Sequence, residues 1–152
     1  MTITLREITN DNFRECIHLK VADDQKGFVA SNMFSLAEAK ADGVSNPYAI
    51  YADEQMVGFI MYDFDPKESR GYITRLMIDE KFQSNGYGRQ AMTQVIDRLQ
   101  AIDDCNEIQT SYAPANVAAA TLYASLGFAQ TGEVAEGEIV VRMSSRLGNT
   151  SP

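Results

Sequence analysis

The chain of 152 residues is long enough for one domain with a buried core, and its 45% apolar and 22% charged residues are typical of a globular protein. Its net charge of −8 and its lack of a basic cluster exclude the usual surface for nucleic acid, which needs grouped Lys and Arg side chains. No apolar run reaches the roughly 18 residues of a membrane span, and the N-terminus does not resemble a signal peptide, so we expect a cytoplasmic protein without a membrane partner.

The first half of the chain predicts a strand, two helices and an antiparallel meander. Asn10 and Asp11 are candidate caps of the first helix, and Ser35 with Glu38 fits the capping box of a second helix that ends at Gly43. Alternating apolar residues and turn residues between them indicate the strands. The predicted elements are strand 2–8, helix 13–20, a loop or broken helix at 22–34, helix 36–41, and strands 47–51, 56–64 and 71–79.

The second half predicts two helices, each of which lies between strands. Apolar residues every three to four positions indicate an amphipathic helix from Gly88, and Gly127 and Gly137 mark a helix end and a hairpin turn. The predicted elements are helix 88–102, strand 107–112, helix 115–126, strands 128–131 and 138–143, and a flexible tail at 147–152. This order predicts a single α+β domain (1–146) whose mixed sheet has one parallel crossover near the middle and antiparallel pairs on either side.

A glycine-containing turn precedes the amphipathic helix. The segment Gln83-Ser84-Asn85-Gly86-Tyr87-Gly88-Arg89 would place backbone N–H groups and the positive end of a helix dipole around an anion. The glycines allow close approach of a phosphate, and an Arg in the first turn is reasonable beside one. The turn matches neither the dinucleotide fingerprint nor the P-loop, and by itself it could be a plain tight turn.

A second motif lies on the predicted helix 115–126. Residues 116–128 fit N-x-x-A-x-x-L-Y-x-x-x-G-F. Asn116 and Tyr123 are seven residues apart, which would place an amide and a phenol on one helical face.

The two motifs together, in this order and spacing, resemble motifs A and B of the GNAT acetyltransferases. The resemblance implies the GNAT fold with a splay after the fourth strand, and acetyl-CoA as co-substrate. It implies that the pyrophosphate lies on the amides of Ser84 to Arg89 and that the pantetheine arm follows the strand. The implied cofactor-binding residues are Leu76, Met77, Ile78, Gln83, Ser84, Asn85, Gly86, Tyr87, Gly88, Arg89 and Asn116.

Amide formation requires a neutral amine, an oxyanion donor and an acid for the departing thiolate. A free alkylamine titrates near pH ~10, so the site must remove its proton. The backbone N–H of Met77 or Ile78 is the candidate oxyanion donor. By its place in the family motif, Tyr123 is the candidate thiolate acid; the alternative is a core tyrosine that packs its helix.

Two stretches are similar to bacterial spermine/spermidine or diamine acetyltransferases: residues 25–39 and the terminal strand 137–143. Several polyamine acetyltransferases carry a carboxylate where Thr74 stands, and a threonine cannot deprotonate an ammonium. The base is therefore Glu138, Glu136 or a water chain, or the acceptor is another small amine. An acetyltransferase of a protein N-terminus, a lysine or an aminoglycoside and a non-catalytic acyl-CoA-binding module remain open.

Cys16 and Cys105 are far apart, and His18 is the single histidine. They predict no disulfide scaffold and no metal site, with both cysteines as small apolar residues. The expected partner is a small-molecule amine, and a homodimer remains open.

Overall fold

The computed structural model describes residues 2–145, and the predicted tail at 147–152 lies outside them. In chain order the elements are β1 (Ile3–Glu7), α1 (Phe13–His18), α2 (Asn32–Asp42), β2 (Asn46–Ala52), β3 (Gln55–Asp65), β4 (Arg70–Ile78), α3 (Tyr87–Gln100), β5 (Glu107–Tyr112), α4 (Val117–Ser125), β6 (Ala129–Ala135) and β7 (Glu138–Ser144). Two short 3₁₀ turns, Asp23–Gln25 and Glu80–Phe82, precede α2 and α3.

The strands form a seven-stranded mixed sheet in the order β1-β2-β3-β4-β5-β7-β6. The β1/β2, β2/β3, β5/β7 and β6/β7 ladders are antiparallel. β4 and β5 are parallel, with Arg70–Tyr72 opposite Glu107–Gln109. The predicted mixed sheet with a central parallel crossover is confirmed.

The chain divides into two compact units that interleave in sequence. Within the described residues, the first unit contains 2–63 and 74–92, and the second contains 64–73 and 93–145. The single domain over 1–146 stays a prediction.

The first unit has a core built from α1, α2 and the strands β2 to β4. Its buried members are Cys16, Ala39, Ala49, Tyr51, Met56, Phe59, Met61 and Met77. Cys16 in the first unit and Cys105 in the second are both buried free thiols, as predicted.

Burial, with a smaller contribution from the neighbouring Glu15 charge, raises the pKa of the Cys16 thiol from about 9 to about 12. We therefore expect a thiol reagent at pH 8 to leave native Cys16 unlabelled, whereas both cysteines react in guanidinium. The unfolded chain releases this proton near pH 9 and the native state retains it, so stability falls as the pH rises from about 9 towards 12. Ellman titration and a pH series of melting curves measure both effects, and rapid native labelling of Cys16 would contradict them.

The boundaries of α2 and α1 differ from the prediction. α2 begins four residues earlier than the predicted capping box, because Ser31 is the N-cap and its Oγ accepts from the Phe34 N–H at 3.1 Å. Ser35 lies inside the helix, where its hydroxyl donates to the Ser31 carbonyl at 3.1 Å. Glu38, predicted to close the capping box, instead pairs with Arg75 at 3.0 Å. Gly43 ends the helix with φ 69°, as predicted.

α1 is shorter than predicted, since it ends at His18 and leaves Lys20 outside. Its N-cap is Asn12, not Asn10 or Asp11. The Asn12 side chain accepts from the Thr9 N–H at 2.8 Å and donates to the Glu7 carbonyl at 3.0 Å. These bonds form a turn before the helix.

In the second unit, the part of α3 around Leu99 packs against the start of β4. A Cβ atom on Gly71 would lie 2.8 Å from the Leu99 side chain, so a larger residue would require that side chain to move. The β6/β7 hairpin closes at Glu136 and Gly137, with φ angles of 51° and 81°. Positive φ at both positions is the pattern of a type I′ turn, which matches the twist of the strands.

Candidate active site

The predicted phosphate turn in the first unit leads directly into α3. Ser84 and Gly86 have φ angles of 68° and 79°, and a Cβ atom on Gly86 would meet no atom within 4 Å. Gln90 donates a hydrogen bond to the Gly86 carbonyl at 3.2 Å. The amides of Tyr87, Gly88 and Arg89 precede it and lie at the positive end of the helix. This is a suitable place for an anion.

The side chains of Gln83 and Asn85 stabilise the turn through hydrogen bonds. The Gln83 Nε2 donates to the Ile78 carbonyl at 2.9 Å and to the Gln25 Oε1 at 2.8 Å. The Asn85 Nδ2 donates to the carbonyls of Phe82 and Gln83 at 2.9 and 3.2 Å. Any contribution of these two predicted residues to an anion therefore comes from their backbone.

Near the end of β4, the backbone N–H and C=O groups of successive residues point alternately to the two edges of the strand. The Asp79 N–H donates to the Val57 carbonyl of β3 at 2.8 Å, and the Met77 carbonyl lies against Gly58 of β3. Since backbone groups alternate along a strand, those of Leu76 and Ile78 face the opposite edge. Of the two candidate oxyanion donors, Ile78 has the suitable direction, whereas Met77 faces β3 and buries its side chain in the core.

Thr74 is exposed. Its hydroxyl donates to the Met61 carbonyl at 3.3 Å. This hydrogen bond between the Thr74 hydroxyl and a backbone carbonyl has a structural role, and neither of its groups can act as the base.

In the second unit, Asn116 is the N-cap of α4. Its Oδ1 accepts from the Ala119 N–H at 3.2 Å. The predicted helix start at 115 is wrong, because Asn116 has non-helical backbone angles and α4 begins at Val117. The shared face of Asn116 and Tyr123 stays a prediction. The side-chain oxygen is used by the cap, and the amide N–H₂ is the group that could donate to a ligand.

Tyr123 is 6% exposed and packs between two aromatic rings, with centroid distances of 6.1 Å to Tyr112 and 5.9 Å to Phe128. Burial raises the pKa of its phenol to about 12, a hydrogen bond with Thr110 lowers it, and the charge of Glu138 raises it further. The phenol therefore keeps its proton at neutral pH. The geometry suits both a proton donor and a packed core residue.

Glu138 begins β7 and is half-buried. Its Oε1 accepts from the Ser111 hydroxyl at 2.6 Å. Its negative charge contributes to the raised pKa of the Tyr123 phenol. Glu136 is exposed in the hairpin turn, which disfavours it as the base.

Sequence reasoning missed three residues that support these groups: Ser111, Thr110 and Gln25. Thr110 donates to the Ile73 carbonyl at 2.9 Å. Thr110 and Ser111 are consecutive residues of β5, so their side chains point to opposite faces of the sheet. The alternation of side chains along this strand could therefore have assigned each residue to its face. No local signal could have paired Gln25 with Gln83.

Within residues 2–145, none of the helices combines the length and the apolar character that a membrane crossing requires. The same residues contain no group of three or more His, Cys, Asp or Glu side chains placed to hold a metal ion.

The sequence matches the model of the acetyltransferase (GNAT) family over residues 4–128. Together with the fold, this match shows that the chain belongs to the GNAT N-acetyltransferases. It is 31% identical to the spermine/spermidine N(1)-acetyltransferase of Bacillus subtilis (strain 168) over 140 residues, which cover 88% of this chain and 92% of the relative.

Two solved structures share the fold at low sequence identity. The spermidine N-acetyltransferase of Vibrio cholerae, in complex with CoA and spermine, is 18% identical with a TM-score of 0.73, covering 93% of this chain and 94% of that one. The ribosomal-protein-S18-alanine N-acetyltransferase of Escherichia coli is 15% identical with a TM-score of 0.74, covering 97% and 96%. The backbone is thus equally similar to enzymes named for a polyamine and for a protein acceptor.

Proposed function

We propose that this chain transfers an acetyl group from acetyl-CoA to a primary amine of a polyamine such as spermidine or spermine. The likeness to the Bacillus subtilis enzyme over nearly the whole of both chains carries the choice of acceptor. The half-buried Glu138 carboxylate supports it, because a polycation needs an anionic partner. A cytoplasmic location and a homodimer stay predictions.

The cofactor half of the proposal rests on the first unit. The pyrophosphate lies on the amides of Ser84 to Arg89, where the helix end is positive and Gly86 leaves open space. The pantetheine follows Leu76 to Ile78, and the Ile78 N–H donates to the oxyanion. The β4/β5 ladder covers the first three residues of β4, which supports a splay further along this strand. The contact of Asn116 with the pantetheine stays a prediction.

The chemistry is a direct attack. The neutral amine forms a bond to the thioester carbon, the C–S bond breaks, and the phenol of Tyr123 gives its proton to the thiolate. The proton of the amine leaves to Glu138 or to a water chain, and Tyr123 regains its own from solvent. The products are the N-acetylated amine and CoA with a free thiol.

A thiol-release assay tests the acceptor class. We expect release with spermidine or spermine to exceed that with a lysine peptide or an aminoglycoside, and to weaken with added salt because exposed charge pairs are screened over about 10 Å at 0.1 M. A lack of release with every polyamine at millimolar concentration would discard the polyamine assignment. Release with a peptide alone would move the proposal to a protein acceptor.

Glu138→Gln tests the role of the carboxylate. The substitution keeps an oxygen that accepts from Ser111 and deletes the charge. We expect the KM for spermine to rise about fivefold, the equivalent of roughly 1 kcal/mol, and the KM for a monoamine to change less.

Glu136→Gln is the matched control, since it removes the same charge two residues away at the exposed turn and should leave both constants unchanged. Equal effects of Glu138→Gln on spermine and monoamine would assign Glu138 to the base or to the scaffold and refute its role as a charge anchor.

A further inference from the structure

We propose that Gln25 is a positioning residue that couples the segment 20–26 to the phosphate turn through Gln83. The inference rests on the proposed function, since it takes acetyl-CoA as the ligand of this turn. It concerns contacts within the first unit only.

The two glutamines form a reciprocal pair of carboxamides. The Gln83 Nε2 donates to the Gln25 Oε1 at 2.8 Å, and the Gln25 Nε2 donates to the Gln83 Oε1 at 3.1 Å. Each amide makes one further bond: the Ala22 N–H donates to the Gln25 Oε1 at 3.1 Å, and the Gln83 Nε2 donates to the Ile78 carbonyl at 2.9 Å. Four hydrogen bonds thus join three backbone segments.

A second set of bonds ties the same segments at their other ends. The buried Asp79 carboxylate accepts from the N–H of Lys20 at 3.0 Å and from the N–H of Lys81 at 3.0 Å. The Glu80 N–H donates to the Lys20 carbonyl at 2.8 Å. Segments 20–26 and 79–83 are therefore clamped at both ends, and a change in the order of one is transmitted to the other.

This clamp connects two parts of the proposed reaction. Gln83 holds the carbonyl of Ile78, and so orients the residue whose N–H is the proposed oxyanion donor. Gln25 begins the stretch (residues 25–39) that is similar to polyamine acetyltransferases. Acetyl-CoA that orders the turn at 84–89 should therefore also order the segment 20–26 before the acceptor binds.

The directions of the hydrogen bonds predict different results for two matched variants. Gln25→Glu keeps the accepting oxygen and three of the four bonds, and loses only the bond donated to Gln83. Gln83→Glu loses both donated bonds and places a carboxylate against the Ile78 carbonyl. By calorimetry we expect Gln83→Glu to lower the affinity for acetyl-CoA at least fivefold and Gln25→Glu to lower it less than twofold.

Hydrogen exchange of the full-length protein, with and without saturating acetyl-CoA, measures the coupling without an activity readout. In the parent chain we expect slower exchange in peptides covering both 84–90 and 20–26. In Gln25→Ala we expect protection of 84–90 to persist and that of 20–26 to be reduced, because only the bonds through Asp79 and Glu80 remain. A native melting curve is the folding control. Should Gln25→Ala not fold, the same comparison is made with Gln25→Glu. This variant should retain the protection of both 84–90 and 20–26.

Three outcomes overturn the inference. Protection of 84–90 without protection of 20–26 in the parent chain shows that the segments are not coupled. Full protection of 20–26 in Gln25→Ala shows that the glutamine pair does not carry the coupling. The absence of any acetyl-CoA binding refutes the proposed cofactor, and the inference with it, which separates that failure from the other two.

Discussion

Replacing Tyr123 with Phe should reduce the turnover number at least tenfold and leave the fold intact. The substitution removes the proton that the thiolate needs, and a positioned acid contributes about 10²–10⁴ in rate. It keeps the ring between Tyr112 and Phe128 and removes only the hydroxyl group. Initial rates of thiol release and a melting curve measure the two effects.

Tyr112→Phe is the matched control. Tyr112 is also buried, contacts the ring of Tyr123, and accepts a hydrogen bond from Gln130 at 3.4 Å. It has no assigned chemical role, so its loss of a hydroxyl should leave the turnover number within about twofold. If Tyr123→Phe had the same turnover number as Tyr112→Phe, Tyr123 would be a packed core tyrosine and not the thiolate acid.

The raised pKa of Tyr123 gives an independent check on its burial. The unfolded phenol releases its proton near pH 10 and the native one near 12, so the unfolded state binds fewer protons in this window. Stability of the parent chain should therefore fall more steeply between pH 10 and 12 than that of Tyr123→Phe. Parallel slopes for the two proteins would show that the phenol is solvated.

The second large effect is expected for Gly86→Asp. This substitution should lower the affinity for acetyl-CoA at least tenfold, or about 1.4 kcal/mol of binding free energy. The new carboxylate would lie at the positive helix end, where the pyrophosphate is proposed to bind, and would repel it. A side chain meets no steric obstacle at this position, since the Cβ site has no atom within 4 Å. Calorimetric titration with acetyl-CoA measures the change.

Gly86→Asn separates charge from backbone strain. Asn and Asp are similar in shape, and both tolerate the positive φ of 79° that residue 86 adopts. The neutral variant should therefore bind acetyl-CoA several-fold more tightly than the acidic one. Equal weakening by both would show that the glycine matters for backbone shape alone, and unchanged affinity in both would reduce the segment to a tight turn.

The sequence by itself determined the features that depend on local pattern. Alternation of apolar residues located β5 at Glu107–Tyr112, and turn residues placed the β6/β7 hairpin around Gly137. The two motifs, by their resemblance to motifs A and B, indicated the GNAT family. Each of these signals lies within one short segment of the chain, so no distant contact is needed to interpret it.

Only the tertiary structure decided which of several equivalent side chains is used. Ser31 and Ser35 both suit an N-cap, and Ser35 is excluded because it is buried inside α2 while Glu38 pairs with Arg75 from a distant strand. The pairing of Gln25 with Gln83 joins residues 58 apart, and that of Ser111 with Glu138 joins residues 27 apart. Neither leaves a periodic trace in the sequence, because the packing of distant elements brings these polar groups together.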